Sequence, residues 1–163
     1  MDTAGSPTRL RNLASWLLSQ TATAAGRLVS EGLAGANLTG ADLTGAELTE
    51  TGARRTHYSV LAALDEFGPA SQAELSRRCG IYRSDLVALV NELERAGLAR
   101  RSADPDDARR NVVTITEAGE HQLLHLDQLL ADIQDEVLAP LTPAERVQLL
   151  ALLRRVLDSH SGS

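Results

Sequence analysis

Apolar positions recur every three or four residues along three long stretches of the chain, as they do on one face of an α-helix. One stretch lies within residues 9–32, and two lie within residues 117–159, where Pro140 ends one helix and Thr142 caps the next. Because a chain of 163 residues has little else to cover three such faces, they predict a dimerisation bundle. The alternative is that the same faces pack within a single chain.

Residues 54–116, between these stretches, show the pattern of two short helices followed by two short strands. Ser71 with Glu74 three residues later is a capping-box signature, and Gly80 is typical of the end of the helix that they begin. A second helix is predicted over about 83–96. Two short helices joined by a glycine turn indicate a helix-turn-helix, whose second helix enters the major groove of DNA.

Two strands are predicted over residues 98–102 and 112–115, on either side of the charged segment 104–110. That segment is too polar and too long for a tight hairpin, and a protruding loop of this kind suits a minor groove. The expected fold class is mainly α with a small β-wing, a winged helix-turn-helix domain plus a helical dimerisation bundle. The candidate DNA-binding residues on the two helices and the wing are Arg77, Tyr82, Arg83, Ser84, Asp85, Val87, Arg101, Asp107, Arg109 and Arg110.

The order of these elements resembles the MarR family of bacterial transcriptional regulators. The resemblance is carried by residues 10–29, the segment 57–61 (HYSVL), the capped helix from Ser71, the segment 91–98 (NELERAGL), and the wing with the helix start that follows it at 116–119. It covers residues 1–163 as a single domain, apart from the segment around 36–50. It implies a ligand-responsive dimer, most often a repressor, in which each subunit reads one half-site of a pseudo-palindromic operator in double-stranded DNA.

The resemblance also implies roles for individual residues. Asp107 and Arg109 match the wing signature of the family, in which the Arg reaches DNA and the Asp helps to fix the wing. The recognition helix departs from the family pattern. Tyr82 stands where a small capping residue is usual, and Val87 and Ala88 stand where Thr and Arg are common.

An effector pocket between the dimer bundle and the winged helix is a further implication of the resemblance. Trp16, His57 and Tyr58 fall on the first two of the helices that line it, which makes them candidates to bind an unknown small-molecule effector. Ordinary core and interface packing explains each of these residues equally well. The sequence does not name the ligand.

The net charge of −6 would disfavour DNA binding if it were spread evenly over the chain. Residues 54–110 instead hold ten Arg and nine acidic residues, whereas residues 111–163 hold three Arg and eight acidic residues. The acidic residues therefore lie mainly on the C-terminal helices. A negative surface there repels DNA from the wrong face and leaves the helix-turn-helix to bind it.

Other chemistries find little support in the sequence. The chain has no phosphate loop, nucleophile elbow or paired-cysteine metal site, so we expect neither an enzyme nor a cofactor. His121 and His125 are four residues apart on one helix, beside Glu120, which leaves a zinc-responsive regulator as an alternative. The single cysteine, Cys79, leaves a redox-responsive one, although its apolar position favours a buried structural thiol.

Residues 36–50 form three copies of a five-residue unit that resembles pentapeptide repeats. Three units do not complete one coil of a four-sided β-helix, so a repeat-containing loop is predicted over residues 33–53. A protein-interaction module built on the repeats is the alternative.

The apolar run at 13–18 is shorter than the core of a secretory signal, and no stretch reaches the length of a membrane span. A cytoplasmic protein without a membrane partner is therefore expected.

Overall fold

The computed structural model describes residues 6–34, 50–104 and 111–160, and the structural statements below concern these residues. Within them the chain is mainly helical, with one small antiparallel sheet, which confirms the expected fold class. In chain order the elements are α1 (Thr8–Arg11), α2 (Ala14–Ala34), α3 (Glu50–Phe67), α4 (Gln72–Cys79), α5 (Arg83–Arg95), β1 (Ala99–Ala103), β2 (Asn111–Ile115), α6 (Glu117–Val137) and α7 (Pro143–His160).

The helix-turn-helix consists of α4 and α5, and its boundaries follow from local chemistry. The Ser71 hydroxyl accepts a hydrogen bond from the Glu74 backbone N–H, while the Glu74 carboxylate accepts one from the Ser71 backbone N–H at 2.9 Å. Two backbone donors at the start of the helix, those of Ser71 and Glu74, are thus satisfied. Helix α4 ends at Gly80, whose φ of 64° is the left-handed conformation that favours glycine. The capping box predicted from the sequence is confirmed.

The wing is a two-stranded sheet with an additional anchor. Strands β1 and β2 pair with Arg101 opposite Val113, and each strand is displaced by one residue from its predicted start. On its other side Val113 exchanges two backbone hydrogen bonds, of 3.1 and 2.8 Å, with Ala70. The base of the wing is therefore held to the segment that leads into α4.

Two apolar clusters form the core. The larger one joins α3, α4, α5 and the sheet, and includes Val60, Leu61, Leu75, Leu86 and Leu93. The smaller one joins α2 to α6 and is built on Leu33, Leu126 and Ile133. Hence the buried positions of the α6 stripe pack within their own chain, as the alternative of intramolecular packing expects, and the part that this helix takes in a dimer stays a prediction.

A close approach of two helices accounts for that packing. Gly32 of α2 lies against Ile133 of α6, where an added Cβ would be 2.4 Å from the isoleucine Cδ1. A side chain at this position would hold the helices apart. This contact covers only the buried face of α6. Other apolar surface of the chain stays uncovered, above all on α7, which buries no residue.

Several predicted boundaries change. The helix expected over 9–32 is divided into α1 and α2, which the pair Asn12 and Leu13 separates. The loop predicted over 33–53 is shorter in the structure, because α2 continues to Ala34 and α3 already begins at Glu50. The repeats, apart from Glu50, lie outside the described residues. None of the described helices is long and apolar enough to cross a membrane.

Candidate nucleic-acid interface

The first turns of α5 present the side chains predicted for the major groove. Arg83, Ser84, Asp85 and Val87 are exposed. The opposite face of the helix is buried in the core through Leu86, Leu89, Val90 and Leu93. The amphipathic pattern of the sequence therefore produces a helix with one face packed in the core and the opposite face exposed to solvent.

Tyr82 occupies the N-cap of α5, where its side chain makes no capping hydrogen bond. The helix begins there nonetheless, because the Tyr82 carbonyl accepts hydrogen bonds from the N–H groups of Asp85 and Leu86 at 3.0 and 2.9 Å. The side chain is 82% exposed. The departure from the family pattern thus places a phenol at the leading edge of the recognition helix.

Arg77 and Arg78 lie exposed in the last turn of α4. The guanidinium of Arg78 stacks over the Phe67 ring at 4.6 Å from its centroid, which is a cation–π contact. Within the part of the chain that the structure describes, Arg77 makes no such ring contact. Of these two neighbours, Arg77 is the one that the sequence predicted to bind DNA.

Arg101 differs from the other candidates because it is engaged within the protein. Its guanidinium forms an ion pair with Glu94, and its side chain is only 22% exposed. With the Gln72 amide turned so that its oxygen faces the guanidinium, that oxygen accepts from Nε at 2.9 Å and Nη2 at 3.0 Å. Arg101 and Arg83 line one groove of about 390 Å³ at the base of the wing.

The remaining wing candidates, Asp107, Arg109 and Arg110, lie outside the described residues. They belong to the segment that connects the paired ends of β1 and β2, Ala103 and Asn111. Their assignment to DNA stays a prediction from the sequence.

The three effector candidates are not brought together. His57 is buried beneath α5, with its Nε2 3.0 Å from a carboxylate oxygen of Glu92. Tyr58 points to α6, where its hydroxyl donates to Asp127 at 2.8 Å. Trp16 is twelve residues before Leu28, the first α2 residue of the apolar cluster against which Tyr58 also packs, and hence about 18 Å from it along the helix axis.

The environment of Tyr58 keeps it a hydrogen-bond donor. Partial burial, followed by the hydrogen bond to Asp127 and the charge of that carboxylate, raises the pKa of Tyr58. The phenol therefore stays protonated at neutral pH and links α3 to α6.

On the other side of α3, a groove of about 450 Å³ separates Thr56 from Asp85 and Glu92 of α5.

The residues of the alternative sensing chemistries are placed as follows. Cys79 is half-buried, its thiol lies 3.4 Å from the Ser59 carbonyl oxygen, and burial raises the pKa of the thiol. His121 and His125 are exposed on α6. Among the described residues no group of three or more His, Cys, Asp or Glu side chains could hold a metal ion.

Sequence reasoning missed the partners that fix these side chains, namely Gln72, Glu92, Glu94 and Asp127. One of them had a signal in the sequence. Glu94 and Arg101 are opposite charges seven residues apart on either side of Gly97, whose φ of 71° turns the chain back on itself. An acid and a base that flank a tight turn are candidates for an ion pair.

The comparisons with known proteins agree with this architecture. Residues 51–110 match a family model described as the MarR family. The chain is 33% identical to the HTH-type transcriptional repressor NicR of Pseudomonas putida over 106 residues, which are 65% of this chain and 67% of NicR.

Two solved structures are similar over nearly the whole chain. A probable transcriptional regulator from Pseudomonas aeruginosa is 30% identical with a TM-score of 0.69, covering 90% of this chain and 98% of that one. The PcaV transcriptional regulator from Streptomyces coelicolor, in complex with its natural ligand, is 26% identical with a TM-score of 0.62, covering 97% and 96%.

Proposed function

Because this chain belongs to the MarR family of DNA-binding transcriptional regulators, we propose that it is a dimeric repressor whose hold on its operator is released by a small-molecule effector. The observation that carries the proposal is the exposed edge of α5, with Tyr82, Arg83 and Ser84 at its start, beside the wing. In a winged helix-turn-helix this edge meets the base pairs and phosphates of the major groove.

The charge of the described residues supports this orientation. Exposed arginines lie on α4, α5 and β1, at Arg77, Arg83 and Arg100. Helix α6 carries six exposed acidic side chains and no arginine, whereas α7 carries two acidic residues and three arginines. A surface divided in this way directs the polyanion to the helix-turn-helix and keeps it off the opposite end of the molecule.

The uncovered apolar surface supports a homodimer. Large apolar side chains are exposed from α1 to the first half of α2, including the link between them, at Leu10, Leu13, Leu17 and Leu18. Others are exposed along α7, at Val147, Leu150, Leu152, Leu153, Val156 and Leu157. Exposed apolar side chains that recur along a whole helix are typical of a protein–protein contact surface. A second copy of the chain would cover them and place the two recognition helices about 34 Å apart, one turn of DNA.

The effector part of the proposal is supported by the relatives. NicR is named a repressor, and PcaV is a regulator that was solved with its natural ligand. In this chain α3 connects α6 to the recognition helix α5. Its Tyr58 bonds to Asp127 of α6, and its His57 contacts Glu92 of α5. A ligand that shifted α6 would act on α5 through them.

The decisive experiment selects genomic fragments with the purified protein and measures affinity for the recovered site. Arg109→Ala should weaken binding, because a good charged contact contributes about 1–3 kcal/mol to recognition. Arg27→Ala is the matched control, since this exposed α2 residue pairs with Glu31 on its own helix. Selection of no common sequence, or equal affinities of the two variants, would contradict the proposal.

A further inference from the structure

The ion pair at the base of the wing points to a role for Arg101 that differs from the one its sequence position suggests. We propose that Glu94 and Gln72 hold Arg101 as a positioning residue, which sets the angle between the wing and the recognition helix, and that Arg101 does not bind a DNA phosphate. The proposal rests on the DNA-binding function proposed above. It adds Glu94 and Gln72 to the residues on which operator recognition depends.

Three elements meet at this one side chain. Glu94 lies in the last turn of α5, Gln72 is the first residue of α4, and Arg101 is the central residue of β1. The Glu94 carboxylate accepts from the Arg101 backbone N–H at 2.6 Å with one oxygen and from the guanidinium with the other. Both the backbone and the side chain of the strand are therefore tied to the recognition helix.

The geometry of the guanidinium favours this structural use. Its Nη1 is directed to Glu94, while Nε and Nη2 are directed to the Gln72 oxygen, so each of its nitrogens has a partner in the protein. A planar donor group held on two sides fixes orientation as well as distance. A phosphate could recruit Arg101 only by competing with a carboxylate that already neutralises it.

The opposite strand completes the attachment of the wing. Arg101 lies opposite Val113, and Val113 is hydrogen-bonded to Ala70 just before α4. The two strands are thus fixed at the same level, β1 to both helices of the helix-turn-helix and β2 to the segment just before α4. These attachments lie at the base of the wing, so they set its direction relative to the helix-turn-helix.

Arg83 provides the contrast within the same groove. It is exposed, and it lies in the first turn of α5, where a cation can reach the DNA backbone. The plot of log K against log salt has a negative slope, and each phosphate contact that is removed makes this slope shallower by about 0.9. Removing a positioning residue weakens specific binding without changing the number of phosphates neutralised. The salt slope therefore distinguishes the two roles.

The test measures operator affinity, affinity for unrelated DNA and the salt slope for Arg101→Ala, Glu94→Ala and the double variant. We expect each single variant to lose roughly tenfold or more in operator affinity. We expect the double variant to lose little beyond that, because both substitutions break one linkage. Affinity for unrelated DNA and the salt slope of Arg101→Ala and of the double variant should stay those of the wild type, whereas Arg83→Ala should make the slope shallower.

A second pair of variants protects the test against unfolding. Gln72→Leu removes the acceptor and should reproduce the loss, while Gln72→Glu keeps an acceptor oxygen and should retain affinity. Urea unfolding identifies any variant that has lost stability. A salt slope reduced by Arg101→Ala but not by Glu94→Ala would make Arg101 a phosphate contact and overturn the proposal. Wild-type operator affinity in Arg101→Ala, Glu94→Ala and Gln72→Leu would overturn it as well. If wild-type protein selects no operator, it is the DNA-binding function that fails.

Discussion

Replacing Leu157 with Ala should weaken the proposed dimer without unfolding the chain. Leu157 lies on α7 and is 66% exposed, so most of its apolar surface contributes nothing to the stability of a single chain. In a dimer built on α1, α2 and α7, the partner would cover that surface. The variant therefore separates the stability of the dimer from that of the fold.

The magnitude follows from the exposed fraction. Complete burial of a leucine side chain contributes about 1.5–3 kcal/mol, and about two thirds of this remains for a partner to supply, roughly 1–2 kcal/mol for each copy. Two copies give about 2–4 kcal/mol for the dimer. Since about 1.4 kcal/mol corresponds to a factor of ten, the dissociation constant should rise about 30- to 700-fold.

Leu124 provides a matched control, because it is the same residue type and is also 66% exposed, but lies on α6 away from the proposed dimer surface. Sedimentation over a dilution series gives the dimer dissociation constant of each variant, and urea unfolding gives the free energy of unfolding. We expect Leu157→Ala to dissociate at higher concentration and Leu124→Ala to match the wild type. An unchanged dissociation constant for Leu157→Ala, or an equal increase for both variants, would refute the assignment of α7 to the dimer.

Three further predictions concern stability, thiol chemistry and the repeats. Gly119→Ala should lower the free energy of unfolding in urea by about 1–3 kcal/mol, because the added Cβ would lie 2.1 Å from the Leu98 carbonyl oxygen. Gly26→Ala is the control: an added Cβ there has no atom within 4 Å and should stabilise α2 by about 0.5–1 kcal/mol. Equal effects of the two substitutions would contradict the close approach at Gly119. Because burial raises the pKa of the Cys79 thiol, the thiol should react with iodoacetamide more slowly in the native than in the urea-unfolded protein. The stability linked to this thiol should be complete below pH about 8.5 and decline as the pH rises above that value. Equally fast alkylation of the native and unfolded protein would restore the redox-responsive alternative. Replacing the three leucines within residues 36–50 with Ser should change the free energy of unfolding by less than about 0.5 kcal/mol if the repeats form a loop, whereas a loss of several kcal/mol would show that these leucines are packed.

The features that the sequence predicted correctly are those decided within a few residues. The capping box at Ser71 and Glu74 uses backbone groups three positions apart, and the ends of α4 and α5 are decided by Gly80 and Gly97, whose positive φ angles are 64° and 71°. The buried face of α5 follows from helical periodicity alone. These signals need no knowledge of the rest of the chain, so the position of the helix-turn-helix could be predicted from sequence.

What a buried face packs against depends on contacts between distant segments, and the sequence does not contain them in local form. The α6 stripe and the α7 stripe have the same spacing, yet Leu126 and Ile133 are buried within the chain and Leu157 is exposed. Helix α6 packs on α2, where Gly32 leaves room for Ile133, whereas α7 buries no residue. Periodicity thus predicts that a face is covered, whereas a distant residue decides what covers it.

The same limit applies to charge, with a larger consequence for function. Arg83 and Arg101 are equivalent in a sequence search for DNA-binding cations, and both line the groove at the base of the wing. Folding leaves Arg83 exposed and places Arg101 between Glu94 and Gln72, two residues on different helices. An arginine contributes to phosphate binding only if its charge is not already neutralised by the protein. The composition of a basic surface therefore limits how many cations can bind DNA, and we expect the ion pairs formed on folding to determine which of them do.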